Sequence, residues 1–297
     1  MNRSQSFCFV TLAAAAIIWS STLTCHASPQ QQKSRQTGKA KSAGQAYNTF
    51  RNNMMLAKIL ARYRGMKSLE QSVNGKVIIT AEGIKINADF TSMVRLAQPN
   101  KFKIVSKISF FGEEKHGTVV SDGTTVWDLD EDGKQYSERP IAEITKDEDK
   151  FTDWLMDRGG LDLTMIFFLE AASAKSLGLS KDFGNSIHID SYPTKMVDGV
   201  KMFVVPVHID KKKAKGSGGS VSLYVDTKEL LVRRLRYSIV TPASKEDPKS
   251  AQVEFVFFHN AIKPQAQIPD DGFSFTPPAD ATKVNEVKPV FDRAFDR

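Results

Sequence analysis

From Ile84 to Leu96 the chain alternates with a period of two. Ile84, Ile86, Ala88, Phe90, Ser92, Val94 and Leu96 fall on one side, and Lys85, Asn87, Asp89, Thr91, Met93 and Arg95 on the other. Six of those seven even positions are apolar. Successive side chains of a strand point to opposite faces, so the pattern describes a long strand with one buried face and one wet face. The next segment repeats it, with Phe102, Ile104, Ile108 and Phe110 opposed to Lys101, Lys103 and Lys107. Asp122-Gly123, between Thr118–Ser121 and Thr124–Leu129, carries the turn chemistry of a short hairpin. These segments predict a sequential antiparallel sheet.

A helix is expected before that sheet, from about Tyr47 to Lys67, with Phe50, Met54, Ile59 and Tyr63 apolar and Gly65 near its end. Two further helical stretches, Asp147–Asp157 and Asp162–Leu177, interrupt the strands, and Met165-Ile166-Phe167-Phe168-Leu169 is apolar all round. Strands resume at Ile187–Tyr192, Val200–Asp210, Ser220–Asp226, Leu230–Val240 and Ala251–Ile262. In Ala251–Ile262 both faces are apolar: Val253, Phe255 and Phe257 against Val256, Phe258 and Ile262. Such a sheet must be covered on both sides or line a cavity. The fold class is therefore mainly β with helices (α+β), a curved antiparallel sheet of about ten strands. One domain is expected over residues 47–288, with 289–297 as a C-terminal tail.

Residues 1–27 have the layout of an export signal. Arg3 precedes an apolar run from Phe7 to Trp19, and Cys25-His26-Ala27 supplies small residues for cleavage after Ala27. A lipoprotein signal with Cys25 acylated is the rival reading, although Thr22-Leu23-Thr24 lacks the usual Leu and small residue before the Cys. The expected compartment is the periplasm. Cleavage after Ala27 would remove both of the chain's cysteines, Cys8 and Cys25, and so exclude disulfides, thiol nucleophiles and thiolate metal sites from the mature protein. Residues 28–46 hold Lys33, Arg35, Lys39 and Lys41 and no acid, the composition of a disordered basic leader. The net charge of +7 does not imply nucleic acid in an exported protein.

Candidate chemistry is sparse. Asp128-Leu129-Asp130-Glu131-Asp132-Gly133 opens like a calcium loop, but position twelve is Arg139 where a bidentate Glu is needed. A hairpin turn is the favoured reading. His116, His188, His208 and His259 lack the spacing of a helical zinc site, and no Gly-x-Ser-x-Gly elbow is present. No catalytic residue, metal ligand or cofactor site is assigned. Lys211-Lys212-Lys213-Ala214-Lys215 is a basic hairpin tip, with transient contact to an anionic membrane as its functional alternative.

Two stretches resemble the outer-membrane lipoprotein carrier superfamily (LolA/LolB-like). Gln98-Pro99-Asn100-Lys101-Phe102 followed by Ser121-Asp122-Gly123-Thr124-Thr125-Val126-Trp127 is similar to the family's Arg-Pro-Asn-x-Phe strand and its Ser-Asp-Gly-x-x-x-Trp hairpin. Phe273-Ser274-Phe275-Thr276-Pro277-Pro278 resembles its C-terminal edge, and Leu223-Tyr224-Val225-Asp226 before Leu231-Val232-Arg233 resembles a strand pair with an Asp turn. The resemblance implies an incomplete β-barrel closed by helices around an apolar cavity for lipid acyl chains or a lipoprotein. Phe90, Val94, Phe102, Ile104, Trp127, Leu235, Phe255 and Phe257 are then the expected wall, with Phe167 and Phe168 on a covering helix. It implies non-enzymatic binding in lipoprotein trafficking, or, as in some relatives, an envelope-stress sensor or adaptor that binds a membrane protein partner. One departure stands out. The family's Arg before the Pro, associated with opening and closing the lid, is Gln98 here.

Overall fold

The computed structural model describes residues 55, 58–81, 84–159, 163–169, 192–209, 218–241 and 251–295. The expected signal, basic leader, Lys211–Lys215 tip and residues 170–177 and 187–191 lie outside them. Among the described residues twelve strands form one curved, unclosed sheet in the order β12-β6-β5-β4-β3-β2-β1-β11-β10-β9-β8-β7. The strands are β1 Ser68–Ala81, β2 Ile84–Ala97, β3 Lys101–Phe110, β4 Glu113–Asp122, β5 Thr125–Asp130, β6 Gln135–Pro140, β7 Thr194–Val197, β8 Val200–Ile209, β9 Gly218–Asp226, β10 Val232–Thr241, β11 Ala251–Pro264 and β12 Thr282–Lys283.

Two sequential meanders, β1 to β6 and β7 to β11, meet where β1 pairs antiparallel with β11. Only β12, the last strand, pairs parallel, to the β6 edge. β1 is thus the seam of the sheet, and its pattern hides that. Its inward residues Leu69, Gln71, Val73, Gly75, Val77 and Ile79 include an amide and a glycine, which blunt the alternation.

The inward faces of β1–β5 and β8–β11 build one core cluster with Ile59 and Tyr63 of a helix over 58–64, Phe151, Trp154 and Leu155 of the helix Glu148–Gly159, and Met165 to Phe168 of the helix Leu163–Phe168. The two faces of β11 part company here: Val253, Phe255 and Phe257 join this core, and Phe258 faces outward beside Arg234, 4.8 Å from its guanidinium.

The hairpins follow their local chemistry. Asp122 Oδ1 accepts from the amides of Thr124 and Thr125 at 2.7 and 2.8 Å while Gly123 takes a φ of 96°. Asp226 Oδ1 accepts from Lys228 and Glu229 at 2.8 and 3.1 Å at the β9–β10 turn.

The end of the chain corrects the expected boundary. Residues 290–295 are not a tail: the helix Val290–Phe295 buries Val290, Phe291 and Ala294 in the core. A pattern only six residues long gave no period to read.

Candidate ligand-binding face

Nine of the ten expected wall residues share the inward face. Phe90, Val94, Phe102, Ile104, Phe167, Phe168, Leu235, Phe255 and Phe257 belong to one buried cluster. The register explains it. Phe90 stands opposite Gly75, and Gly75 opposite Phe257, which in turn faces Leu235. A Cβ on Gly75 would come within 2.6 Å of the Phe257 ring, so only glycine lets Phe90 and Phe257 meet edge to face at 6.0 Å across the seam. Phe102 lies 6.4 Å from Phe151 and 6.2 Å from Trp154.

Trp127 is the exception. It pairs with Val120, which pairs with Lys103, whereas Phe102 pairs with Ser121 and so with Val126. Strand alternation therefore puts Trp127 on the outer face, where Phe275 stacks on it at 5.8 Å. Its position on the wrong parity was legible once Phe102 and Val126 were placed on one row.

The short helix Leu163–Phe168 lies against this face and is apolar from Met165 onward. Met165, Ile166, Phe167, Phe168 and the following Leu169 are all at most 1% exposed. The last carbonyls of a helix have no partner within it, and here two side chains supply them. Gln98 Nε2 donates to the Phe168 carbonyl at 2.8 Å, and Arg64 Nη2 to the Ile166 carbonyl at 3.2 Å. At the other end Gln71 Nε2 donates to Thr164 Oγ1 at 2.6 Å. Tyr63 meets Phe167 edge to face at 5.8 Å. Gln98, noted in the sequence only as a departure, is thus a tether of this short helix. Arg64, Gln71 and Thr164 carried no signal that could have singled them out.

Beside it, the helix Glu148–Gly159 ends in a buried ion pair. Arg158 Nε meets Asp128 Oδ2 at 2.5 Å, its Nη2 donates to the Val287 carbonyl at 3.1 Å, and its guanidinium covers the Trp154 ring at 4.6 Å. Burial pushes the Asp128 carboxyl up from its usual range, and Arg158 pulls against that shift.

The carboxylates of the Asp128–Asp132 segment are engaged by arginines. Asp128 points to Arg158, Asp130 and Asp132 to Arg293, and Asp130 Oδ1 also accepts the Gly133 amide at 2.9 Å. The three carboxylates do not converge, and the segment is the β5–β6 hairpin. Among the described residues no three of His, Cys, Asp or Glu are grouped to hold a metal ion.

Arg95, on the outer face, is held by Glu70 at 2.8 Å. The outer face of β1 to β4 carries an open depression of about 290 Å³, lined by residues including Asn74, Thr91, Met93, Val105 and Lys107.

Comparison with known proteins adds a family. Residues 55–286 match the profile of a family described as "Predicted periplasmic protein (DUF2092)". Among curated proteins no sequence matches. Solved structures with similar chains include the lipoprotein LppX of Mycobacterium tuberculosis, with 13% identity over 70% of this chain and 93% of that one and a TM-score of 0.35. An uncharacterised conserved protein of Thermus thermophilus shares 11% over 77% and 98%, with a TM-score of 0.40. LprF of Mycobacterium bovis shares 15% over 78% and 98%, with a TM-score of 0.33.

Proposed function

The chain belongs to the DUF2092 family of predicted periplasmic proteins, and from that premise we propose that it is a non-enzymatic binder of acyl chains, carried by a lipid or a lipid-modified protein, on the inward face of its sheet. The observation that carries this reading is the helix Leu163–Phe168, whose residues from Met165 onward are apolar and buried and whose end is tied by Gln98 and Arg64.

Six residues are too few to hold a helix in water, so this one exists through its contacts with the sheet. Lifting it off breaks three hydrogen bonds, from Gln98, Arg64 and Gln71, each contributing about 1 kcal/mol. It also uncovers five side chains, at about 2 kcal/mol each. An acyl chain of about a dozen methylenes, at about 0.8 kcal/mol each, offsets that loss when it takes their place. The exchange is near balance. A helix closing the open sheet in this way can let a ligand enter and leave, with Phe90, Val94, Phe102, Ile104, Leu235, Phe255 and Phe257 as the wall and Phe167 and Phe168 as the cover. Gln98 then does the work of the carrier family's lid arginine with a neutral, weaker hydrogen bond.

The test is native mass spectrometry of the protein purified from its own envelope, followed by organic extraction. A discrete lipid or acylated-peptide mass, lost in a folded Phe102→Asp variant, is the expected result. A clean apo mass, with no uptake of added lipid or lipopeptide by the wild type or by Gln98→Ala, overturns it. The interior is then a packed core, and a membrane protein partner becomes the reading to pursue.

A further inference from the structure

After β11 the chain goes round the sheet. The 3-10 turn Asp270–Phe273 rests on the outer face of β3 and β4, and Phe275 stacks on Trp127. β12 then lines the β6 edge, with Lys134 bound to Asp280 at 2.6 Å and Lys283 to Glu138 at 2.8 Å. Beyond that edge the helix Val290–Phe295 lies on the inner face, packed on β3 and β4. Phe291 meets Phe90 at 5.1 Å, and Val290 covers Gly117. On the same helix the Arg293 guanidinium meets Asp130 and, at 3.2 Å, Asp132, and its Nη2 donates to the His116 carbonyl at 2.7 Å.

Such a helix is again too short to stand alone, and its seat has a definite chemistry. The floor is aromatic, continuous through Phe90 with Phe257 and the proposed wall. The rim is two carboxylates and a carbonyl that each meet one guanidinium, the carboxylates also accepting backbone amides, Asp132 from His116 and Asp130 from Gly133. With Arg293 withdrawn, that rim repels an anionic headgroup and attracts a cation. The resident helix therefore describes the ligand: apolar bulk with one basic group beside it.

Resting on the acyl-binding reading above, we propose that the seat of the helix Val290–Phe295 is a binding site for an acylated peptide with a basic residue next to its lipid, and that the chain's own helix is its resident occupant. An acyl chain replaces Phe291 beside Phe90, and a Lys or Arg of the peptide replaces Arg293 between Asp130 and Asp132. A net anionic phospholipid fits the floor but not the rim.

The test locks the helix. A Cβ on Gly117 would lie 3.5 Å from that of Val290, within the span of about 3.5–4.5 Å that a disulfide bridges. Gly117→Cys with Val290→Cys is made in a chain with Cys8→Ser and Cys25→Ser. The probes are dye-labelled dipalmitoyl-cysteinyl peptides continuing Ser-Lys-Lys-Lys-Lys or Ser-Glu-Glu-Glu-Glu, followed by fluorescence anisotropy. The lysine probe should bind the reduced form at least about tenfold more tightly than the oxidised form. Arg293→Ala, which removes the contacts to Asp130, Asp132 and the His116 carbonyl, should bind the lysine probe at least about tenfold more tightly than wild type and prefer it to the glutamate probe.

Equal, undiminished binding by the oxidised and reduced forms overturns this site and leaves acyl binding elsewhere on the face standing. Equal affinity of Arg293→Ala for both probes overturns the basic-residue specificity. No binding of either probe by any form, Gln98→Ala included, overturns both readings.

Discussion

Gly75 shows how much one missing atom decides. It lies on the seam strand between Phe90 and Phe257, where a Cβ would overlap the Phe257 ring. Overpacking of this kind costs about 1–3 kcal/mol. Gly75→Val should therefore lower the thermal midpoint, and Phe257→Leu in the same chain should recover part of the loss, because the clash and not the strand propensity is the cause. A fully additive double variant would contradict that. Arg158 is the other decisive residue. Replacing it by Met strips Asp128 of its counter-charge, and breaking a buried pair costs about 3–5 kcal/mol. The cost should grow with pH. Asp128 is already pushed up by burial, and without Arg158 its folded form holds a proton that the unfolded form gives up. Stability then falls as pH rises above the ordinary aspartate range. Denaturant titrations of Arg158→Met at about pH 5 and pH 8 should differ in that direction, and equal deficits would show that Asp128 is not the group concerned.

Elements in this protein are joined by polar residues at points the hydrophobic pattern does not mark. Glu70 of β1 binds Lys263 of β11 at 2.7 Å and Arg95 of β2 at 2.8 Å, so one carboxylate ties the seam strand to both neighbours. The Lys263 hydrogen bond first, and Arg95 next, hold Glu70 below its usual range. A lowered carboxylate contributes stability above the ordinary glutamate range, and this is lost as pH falls through the lowered value. Glu70→Gln should thus lower stability modestly at neutrality, where the site is partly exposed and screened, and the deficit should vanish below about pH 4, flattening the acid limb of the stability curve. The covering helix gives the matching prediction for dynamics. Gln98→Ala should speed hydrogen exchange of the Leu169 amide, which bonds to the Met165 carbonyl at 2.9 Å, while amides of β1 keep their protection. Uniform acceleration throughout the chain would mean that Gln98 supports the whole fold and not this helix.

At the scale of the molecule, an unclosed sheet leaves two edges, and they are treated differently. One is the four-residue β7. The other, β6, is covered by the C-terminal segment that carries Phe275 on one face of the sheet and Phe291 on the other. Short or covered edges suppress pairing with other chains. Truncation at residue 288 should leave the twelve-strand sheet in place but uncover Phe90, so binding of a hydrophobic dye should rise together with a modest fall in thermal midpoint. Loss of all cooperative unfolding would instead make the helix Val290–Phe295 part of the minimal fold.

The one-sided periods of β2 and β3, the Asp122-Gly123 hairpin and the apolar run Met165–Leu169 were all decided by local sequence. Side-chain parity along a strand is a local property, and turns select Asp and Gly for their own backbones. The expected periplasmic compartment agrees with the family, described as "Predicted periplasmic protein (DUF2092)". Three things were not decided locally. β1 as the seam depends on its partner β11, far along the chain, and its own pattern is interrupted by Gln71 and Gly75. Trp127 leaves the wall because register, not composition, fixes which face an aromatic occupies. The tethers Gln98 to Phe168 and Arg293 to Asp130 join polar residues to groups 70 and 163 positions away, and no local pattern encodes a contact between separate elements. The sequence by itself determined which residues avoid water; only the tertiary structure decided which of them meet.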